Sequence, residues 1–207
     1  SGKSQKVMFS ATIPKSIEGI MNRWMNEPEI VKVKGQAETA EGIEQFVMEV
    51  RDSVRTEAVT RVMDAEQINL ALVFCNTKRL CKKLVKELQA RGYGSDSLHG
   101  DLRQNARDKV MRKFRNGNID ILVATDVAAR GLDVENVDIV FNYDIPHDPE
   151  YYVHRIGRTG RAGRTGKAVT FFSGNKKRKQ IRYIEKIIRT RLSTLAMPSD
   201  RELFETK

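Results

Sequence analysis

The sequence is short of the residues that would hold a metal ion or a disulfide framework. It has two cysteines and three histidines in 207 residues. Cys75 and Cys81 stand six apart without a CxxC spacing or a nearby histidine, and His99, His147 and His154 share no ligand spacing. That pattern argues against a zinc site and favours buried free thiols in a reducing compartment. Long apolar runs are missing as well. No stretch approaches the ~18 residues that a membrane helix needs, and the first residues carry no signal-peptide pattern, so a soluble, cytoplasmic chain is expected, with no membrane partner. Carboxylates are the third shortage, with 27 Asp and Glu against 37 Lys and Arg, a formal net charge of +10 and a pI near 9.7. Such an imbalance favours a polyanionic partner while saying nothing of the fold.

What the chain does have is an unusual density of arginine beside glycine. His154-Arg155-Ile156-Gly157-Arg158-Thr159-Gly160-Arg161 is followed by Ala162-Gly163-Arg164. The four arginines are three apart, and the glycines let the backbone approach whatever the guanidiniums hold. A planar fork of donors matches phosphate oxygens in pairs, so this stretch is expected to recognise phosphate. A solvated basic loop is the plain alternative.

At 40% hydrophobic residues the chain can bury one good core with room for a small appendage. The first residues suggest a strand at Val7-Met8-Phe9. Pro14 then suits the first turn of a helix with Ile17, Ile20, Met21, Trp24 and Met25 at helical spacing, Trp24 and the methionines being expected in a core. A strand is expected over Ile30–Val33. This piece of about 34 residues is too small for its own core, and the polar, aperiodic residues 35–42 mark a linker. From Ile43 strand-like and helix-like segments alternate: strands at 45–50, 70–74, 95–98, 121–124, 137–141 and 168–172, and helices at 54–63, 77–91, 103–114, after Pro149, and at 175–191. That alternation implies right-handed βαβ units and a parallel sheet covered by helices on both faces. In such sheets ligands gather at the carboxyl ends of the strands.

The candidate residues follow those ends. Thr77 opens a helix after a strand, where free N–H groups and a hydroxyl can meet a phosphate oxygen, or where the hydroxyl simply caps the helix. Gln104 and Arg107 lie one turn apart on a single helix face and could straddle one backbone phosphate. Thr125 follows the strand ending at Ala124, and Gly100 permits a close approach of a nucleic-acid strand. Asp133 could be a helix cap or a local ion-pair partner. On the last helix Ile181, Ile184, Ile188 and Leu192 form the inward stripe. Its other face carries Lys176, Lys177, Arg178, Lys179, Arg182, Lys186 and Arg189, a solvated face in the plain reading and extra nucleic-acid contact in the other.

Five short segments resemble one known family. His154 to Arg161 is similar to the HRIGRTGR motif of DEAD-box RNA helicases, and Ser10-Ala11-Thr12 resembles their SAT motif. Val73-Phe74-Cys75-Asn76-Thr77-Lys78 resembles motif IV, Gln104-x-x-Arg107 the QxxR element, and Ala124-Thr125-Asp126 through Ala129-Arg130-Gly131-Leu132-Asp133 motif V. They occur in the family's order, and the resemblance covers nearly the whole chain; the type resembled is the bacterial cold-shock helicase. The resemblance implies a helicase C-terminal RecA-like domain over 43–192, with residues 1–34 as a remnant of the N-terminal RecA-like domain, 35–42 as the interdomain linker and 193–207 as the start of an extension.

The family also implies roles. Thr77, Gly100, Gln104, Arg107 and Thr125 would form part of an RNA-backbone track, Asp133 would contact the ribose of ATP, and Arg158 and Arg161 would act as arginine fingers. Ser10, Thr12, Arg130 and His154 would couple the two lobes. The cofactor would be ATP with Mg²⁺, whose ligands belong to the missing N-terminal RecA-like domain. Two other classes stay open, a non-catalytic RNA-binding or chaperone module and a lobe of a superfamily 2 DNA helicase. Ser1-Gly2-Lys3-Ser4 ends like a phosphate-binding loop, but a strand is expected where that loop should open a helix, so no P-loop lysine is assigned. The 207-residue chain is therefore expected to show no RNA-stimulated ATP turnover by itself. A phosphate-release assay with added RNA measures this directly, and turnover at an ordinary helicase rate would contradict the reading.

Overall fold

In the computed structural model, residues 4–9, 15–31, 42–129, 134, 137–160 and 165–205 are described. The chain divides into two compact units, Ser1–Gln36 and Ala37–Lys207.

Among the described residues of the first unit one helix forms, α1 (Lys15–Trp24). Met21 is buried, whereas Trp24 is 64% exposed and Ile20 is 44% exposed. The expectation of a core tryptophan is thus corrected: among the described residues of this small unit no second apolar surface covers the ring. The expected strand at Val7-Met8-Phe9 is irregular chain, with Phe9 92% exposed, and Ile30 and Val31 are irregular too. The rest of that second expected strand, 32–33, lies outside the described residues.

The second unit is built on β1 (Ile43–Glu49), a 3-10 turn at Asp52–Val54, α2 (Arg55–Ala65), β2 (Ala71–Phe74), α3 (Lys78–Ala90), β3 (Ser95–Leu98) and α4 (Gln104–Arg115). It continues through β4 (Ile121–Ala124), α5 (Asp126–Ala129), β5 (Ile139–Asn142), α6 (Pro149–Ile156), β6 (Gly166–Phe172), α7 (Gly174–Ile188), β7 (Ser193–Thr194) and α8 (Asp200–Glu205). The seven strands form one sheet in the order β3-β4-β2-β5-β6-β1-β7, with every pairing parallel. The sheet therefore runs past 192. Ser193 and Thr194 pair with Phe46 and Val47, and Leu195 and Met197 pack against the core.

Buried on both faces, the central strands read as unbroken apolar runs rather than alternating ones. All four residues of β2, of β4 and of β5 are buried. The period of two still sorts the side chains. Leu72, Phe74, Leu122, Ala124 and Val140 point into one cluster with Val110, Met111 and Phe114 of α4, Tyr152 and Ile156 of α6, and Ile181, Ile184 and Ile188 of α7. Ala71, Val73, Ile121, Val123, Ile139 and Phe141 point into the other, with Val59 and Val62 of α2 and Cys81, Leu84, Val85 and Leu88 of α3. Both cysteines are free and buried, and burial pushes the Cys75 thiol up, with its Cys81 neighbour adding to the shift.

Local signals set the helix ends. Thr77 takes an extended conformation and its hydroxyl accepts from the Leu80 N–H at 3.2 Å, capping α3. Pro149 starts α6, where its missing N–H costs nothing. Gly117, with φ +69, takes the left-handed conformation that closes α4. Among the described residues no helix is long and apolar enough to cross a membrane.

Candidate nucleic-acid and nucleotide site

Because all the strands are parallel, everything that follows a strand emerges on one edge of the sheet. Register aligns Leu98 with Ala124, Ala124 with Phe74, Phe74 with Asn142, and Asn142 with Thr170. The ladder carries on one residue further: Thr125 N–H donates to Leu98 O at 3.1 Å, Cys75 N–H to Ala124 O at 3.0 Å, and Tyr143 N–H to Phe74 O at 3.0 Å. Gly100, Thr125 and Thr77 thus leave three adjoining strands, β3, β4 and β2. Gln104 and Arg107 open α4, the helix directly after β3.

Four of these five residues have a further local setting. Thr77 is exposed and caps α3, so the plain role is filled, and its O–H remains as a donor. Gly100 is exposed, with no heavy atom within 4 Å of where a Cβ would stand. The Gln104 amide donates to Asp108 at 2.8 Å. Arg107 is half-buried and gives one donor to Ala128 O at 2.9 Å, which ties α4 to the short helix after β4; its other donors meet no protein acceptor among the described residues. Lys78 pairs with Asp101 at 2.9 Å and Lys82 approaches the same carboxylate at 3.9 Å, so α3 lends positive charge to this edge. The Lys78 bond is the main reason that the Asp101 carboxyl lies below its ordinary value.

Beneath the edge sits a residue that the sequence reading placed with the phosphate binders. Arg155 is 1% exposed. Its guanidinium forks onto Asp126, Nε to Oδ1 at 2.6 Å and Nη2 to Oδ2 at 2.7 Å. Nη1 donates to Asp144 O at 2.7 Å and to Asn142 Oδ1 at 3.3 Å, and Nη2 to Asn76 Oδ1 at 2.9 Å. All five donors are consumed within the fold, over the Phe74 ring. Arg155 therefore holds no external phosphate; it is a buried cross-brace joining the ends of β2, β4 and β5 to α6. Asn76 and Asn142 extend the network, Asn76 N–H to Asp144 Oδ2 at 2.9 Å and Asn142 Nδ2 to Thr170 Oγ1 at 3.0 Å. Helical spacing held the clue, since Tyr152, Arg155 and Ile156 fall at i, i+3 and i+4 on the inward face of α6.

The rest of the arginine stretch divides in the same physical way. Gly157 caps α6, and Arg158 is half-exposed in the turn that follows, its carbonyl accepting from Val137 N–H at 3.3 Å. Thr159 is buried and donates to Val137 O at 2.5 Å. Gly160 has φ +67 and lies so close to the start of β1 that an added Cβ would stand 2.5 Å from Ile43 Cγ1. The glycine here serves the packing of a tight turn rather than access for a ligand. His154 is exposed and meets the Tyr151 ring edge-on. Arg161, Asp133, Arg130, Ser10 and Thr12 lie outside the described residues. No group of three or more His, Cys, Asp or Glu among the described residues is arranged to hold a metal ion.

Comparison with known proteins places this arrangement. Residues 54–163 match the family model described as helicase conserved C-terminal domain. A DEAD-box ATP-dependent RNA helicase CshA from Geobacillus kaustophilus is 47% identical over 201 residues, covering 97% of this chain and 43% of that protein. The chain thus spans less than half the length of the curated relatives it matches. Among solved structures, a DEAD box protein from the hyperthermophile Methanococcus jannaschii superposes with a TM-score of 0.70 at 41% identity, over 90% of this chain and 50% of that one. The C-terminal domain of the DEAD-box protein Dbp5 gives 0.72 at 30% identity, over 81% of this chain and 97% of that one.

Two expectations follow from the geometry. Arg155→Lys offers at most three donors where five are used and cannot reproduce the fork on Asp126, so it should destabilise the fold by about 3–5 kcal/mol. Urea unfolding should show a lower midpoint at unchanged slope. His99 is buried, its Nδ1 has no hydrogen-bond partner among the described residues, and burial together with Lys82 and Lys78 lowers its pKa from 6.5 against an opposing pull from Asp101. Its neutral form therefore stabilises the fold fully above the unfolded value, and that contribution is lost as pH falls through the folded one. NMR titration of the ring should place it below 6.5, and His99→Gln should flatten the acid limb of stability.

Proposed function

Because the chain belongs to the helicase conserved C-terminal domain family, we propose that it is the C-terminal RecA-like lobe of a DEAD-box ATP-dependent RNA helicase of the cytoplasm, acting on short RNA duplexes. The observation that carries this is the alignment of Thr77, Gly100 and Thr125 on three adjoining strand ends, with Gln104 and Arg107 opening the next helix. Small, hydroxyl and bidentate donors along one edge suit sugar and phosphate, which every sequence shares, and so suit binding with little sequence preference.

Arg158 and Arg161 act on the other substrate, ATP. Charge spreads over the terminal phosphate oxygens during phosphoryl transfer, and a guanidinium from the facing lobe stabilises it, by about 10³ to 10⁵ in rate for arginine fingers. Arg158 lies in a turn that Thr159 and Gly160 pin to the sheet, which fixes the backbone of the finger before ATP arrives. Asp133 accepts from the ribose, Mg²⁺ is held by the N-terminal RecA-like domain, and Ser10, Thr12, Arg130 and His154 couple the two lobes. Closure of the lobes bends the RNA strand on the Thr77–Gln104–Arg107 edge and parts a short duplex; reopening follows hydrolysis.

In the two-lobed protein, Arg158→Ala should lower RNA-stimulated ATP hydrolysis by about 10³-fold or more, with RNA affinity within about twofold of the parent. Coupled ATPase and fluorescence-anisotropy measurements read the two quantities. Normal hydrolysis with lost RNA binding would reverse the assignment, and RNA binding that ignores nucleotide in the two-lobed protein would favour a non-catalytic RNA-binding module.

A further inference from the structure

A dense run of positive charge among the described residues, outside the edge described above, is the solvent face of α7. Ile181, Ile184 and Ile188 bury one side of this 15-residue helix. On the other, Lys176, Lys179, Arg182 and Lys186 recur at spacings of three and four, all exposed, around Tyr183 at 57% exposure. Their environment differs from that of three lysines on α3. On α3, Lys78 and Lys82 share Asp101 and Lys83 meets Glu87. Lys176, Lys179, Arg182 and Lys186 have no carboxylate partner among the described residues. Glu185, the one carboxylate in the helix, is spent on the Leu192 N–H at 2.9 Å. Arg178 stands apart from the stripe, paired with Glu49 and laid over the Phe172 ring.

Like charges at i, i+3 and i, i+4 repel along a helix, so this stripe costs the folded chain stability that nothing within the described residues returns. A ligand with repeated negative charge would remove the repulsion. An exposed tyrosine in the middle of a basic stripe adds a flat ring on which a base can stack, and this favours a nucleic acid over an acidic protein surface. The stripe belongs to the same sheet face as α4, which carries Gln104 and Arg107, and not to the face covered by α3.

We propose that Lys176, Lys179, Arg182 and Lys186, with Tyr183, form a second RNA-binding surface that takes the phosphate backbone of the same RNA beyond the strand-end edge. This rests on the reading of that edge as an RNA site. Lysines and arginine on phosphates supply affinity without sequence preference, and each neutralised phosphate adds to the salt dependence of binding. The stripe spans three turns of helix, roughly 15 Å along the axis, enough for a few consecutive phosphates.

The test uses the 207-residue chain and a labelled RNA hairpin with a single-stranded tail, titrated at several salt concentrations. Lys179→Gln, Arg182→Gln and Lys186→Gln combined should weaken binding about tenfold and lower the slope of log affinity against log salt by about two to three. Tyr183→Ala should weaken binding about fivefold or more with the slope unchanged. As a control for bulk charge, Lys83→Gln and Lys86→Gln on α3 and Arg91→Gln just after it remove the same charge from the opposite face and should shift the slope by less than one. All these positions are exposed or half-buried at the surface, and circular dichroism of each variant checks that it folds. If the α7 variant keeps parental affinity and slope while Arg107→Ala still weakens binding, the second surface is refuted, the strand-end site stands, and the stripe is left for an acidic protein. Equal effects from α7 and α3 would also refute it. If the parent chain binds no hairpin, the RNA reading of both surfaces falls.

Discussion

The fork of Arg155 on Asp126 is the constraint on which the rest of the site depends. A guanidinium cannot shed its charge at ordinary pH, so burying it is tolerable only if every donor is met. Here the acceptors come from the ends of three strands, Asn76 after β2, Asp126 after β4, and Asn142 and Asp144 at β5. The bonds that satisfy the charge also fix the mutual positions of the loops above it, which include Thr77 and Thr125. A second buried arginine repeats the device more loosely. Arg55 reaches Tyr143 O at 2.9 Å and Asp144 Oδ1 at 3.4 Å, so Asp144 is shared between the two, while Arg55 Nε is left unmatched.

Topology explains why the open edge falls where it does. The chain runs outward from β2 to β3, returns to β4, then crosses to β5 on the far side of β2. Where strand order reverses, the connecting segments part to either side and leave the strand ends open. The helices change face with that reversal, α3 packing on one cluster and α4 on the other. The start of α4 is thereby carried to the open edge, and α6 brings Arg158 after it.

Much of this was legible in the sequence because the signals were local. The apolar runs at 71–74, 121–124 and 139–142 have the length and isolation of buried strands, and Thr77 and Gly92 bracket α3 as a cap and a stop. The failures arose where a residue's role is set by distant partners. Arg155 looks like its neighbour Arg158 in a repeating pattern, and only the placement of Asp126 and Asn76 separates them. Ser193 and Thr194 are too few to read as a strand and become one because β1 offers an unpaired edge. Trp24 has helical spacing with other apolar residues, yet spacing alone does not say whether an opposing surface exists within its unit.

The turn bearing Arg158 closes on the very start of β1. Gly166 N–H donates to Gly42 O at 2.8 Å, Ile43 crowds Gly160, and Gly166 leaves no room beside Thr159. Residue 42 is where the chain enters the sheet. The entry of the chain into the sheet and the turn that carries Arg158 are thus one packed corner, where a side chain added at Gly160 or Gly166 would disturb both at once.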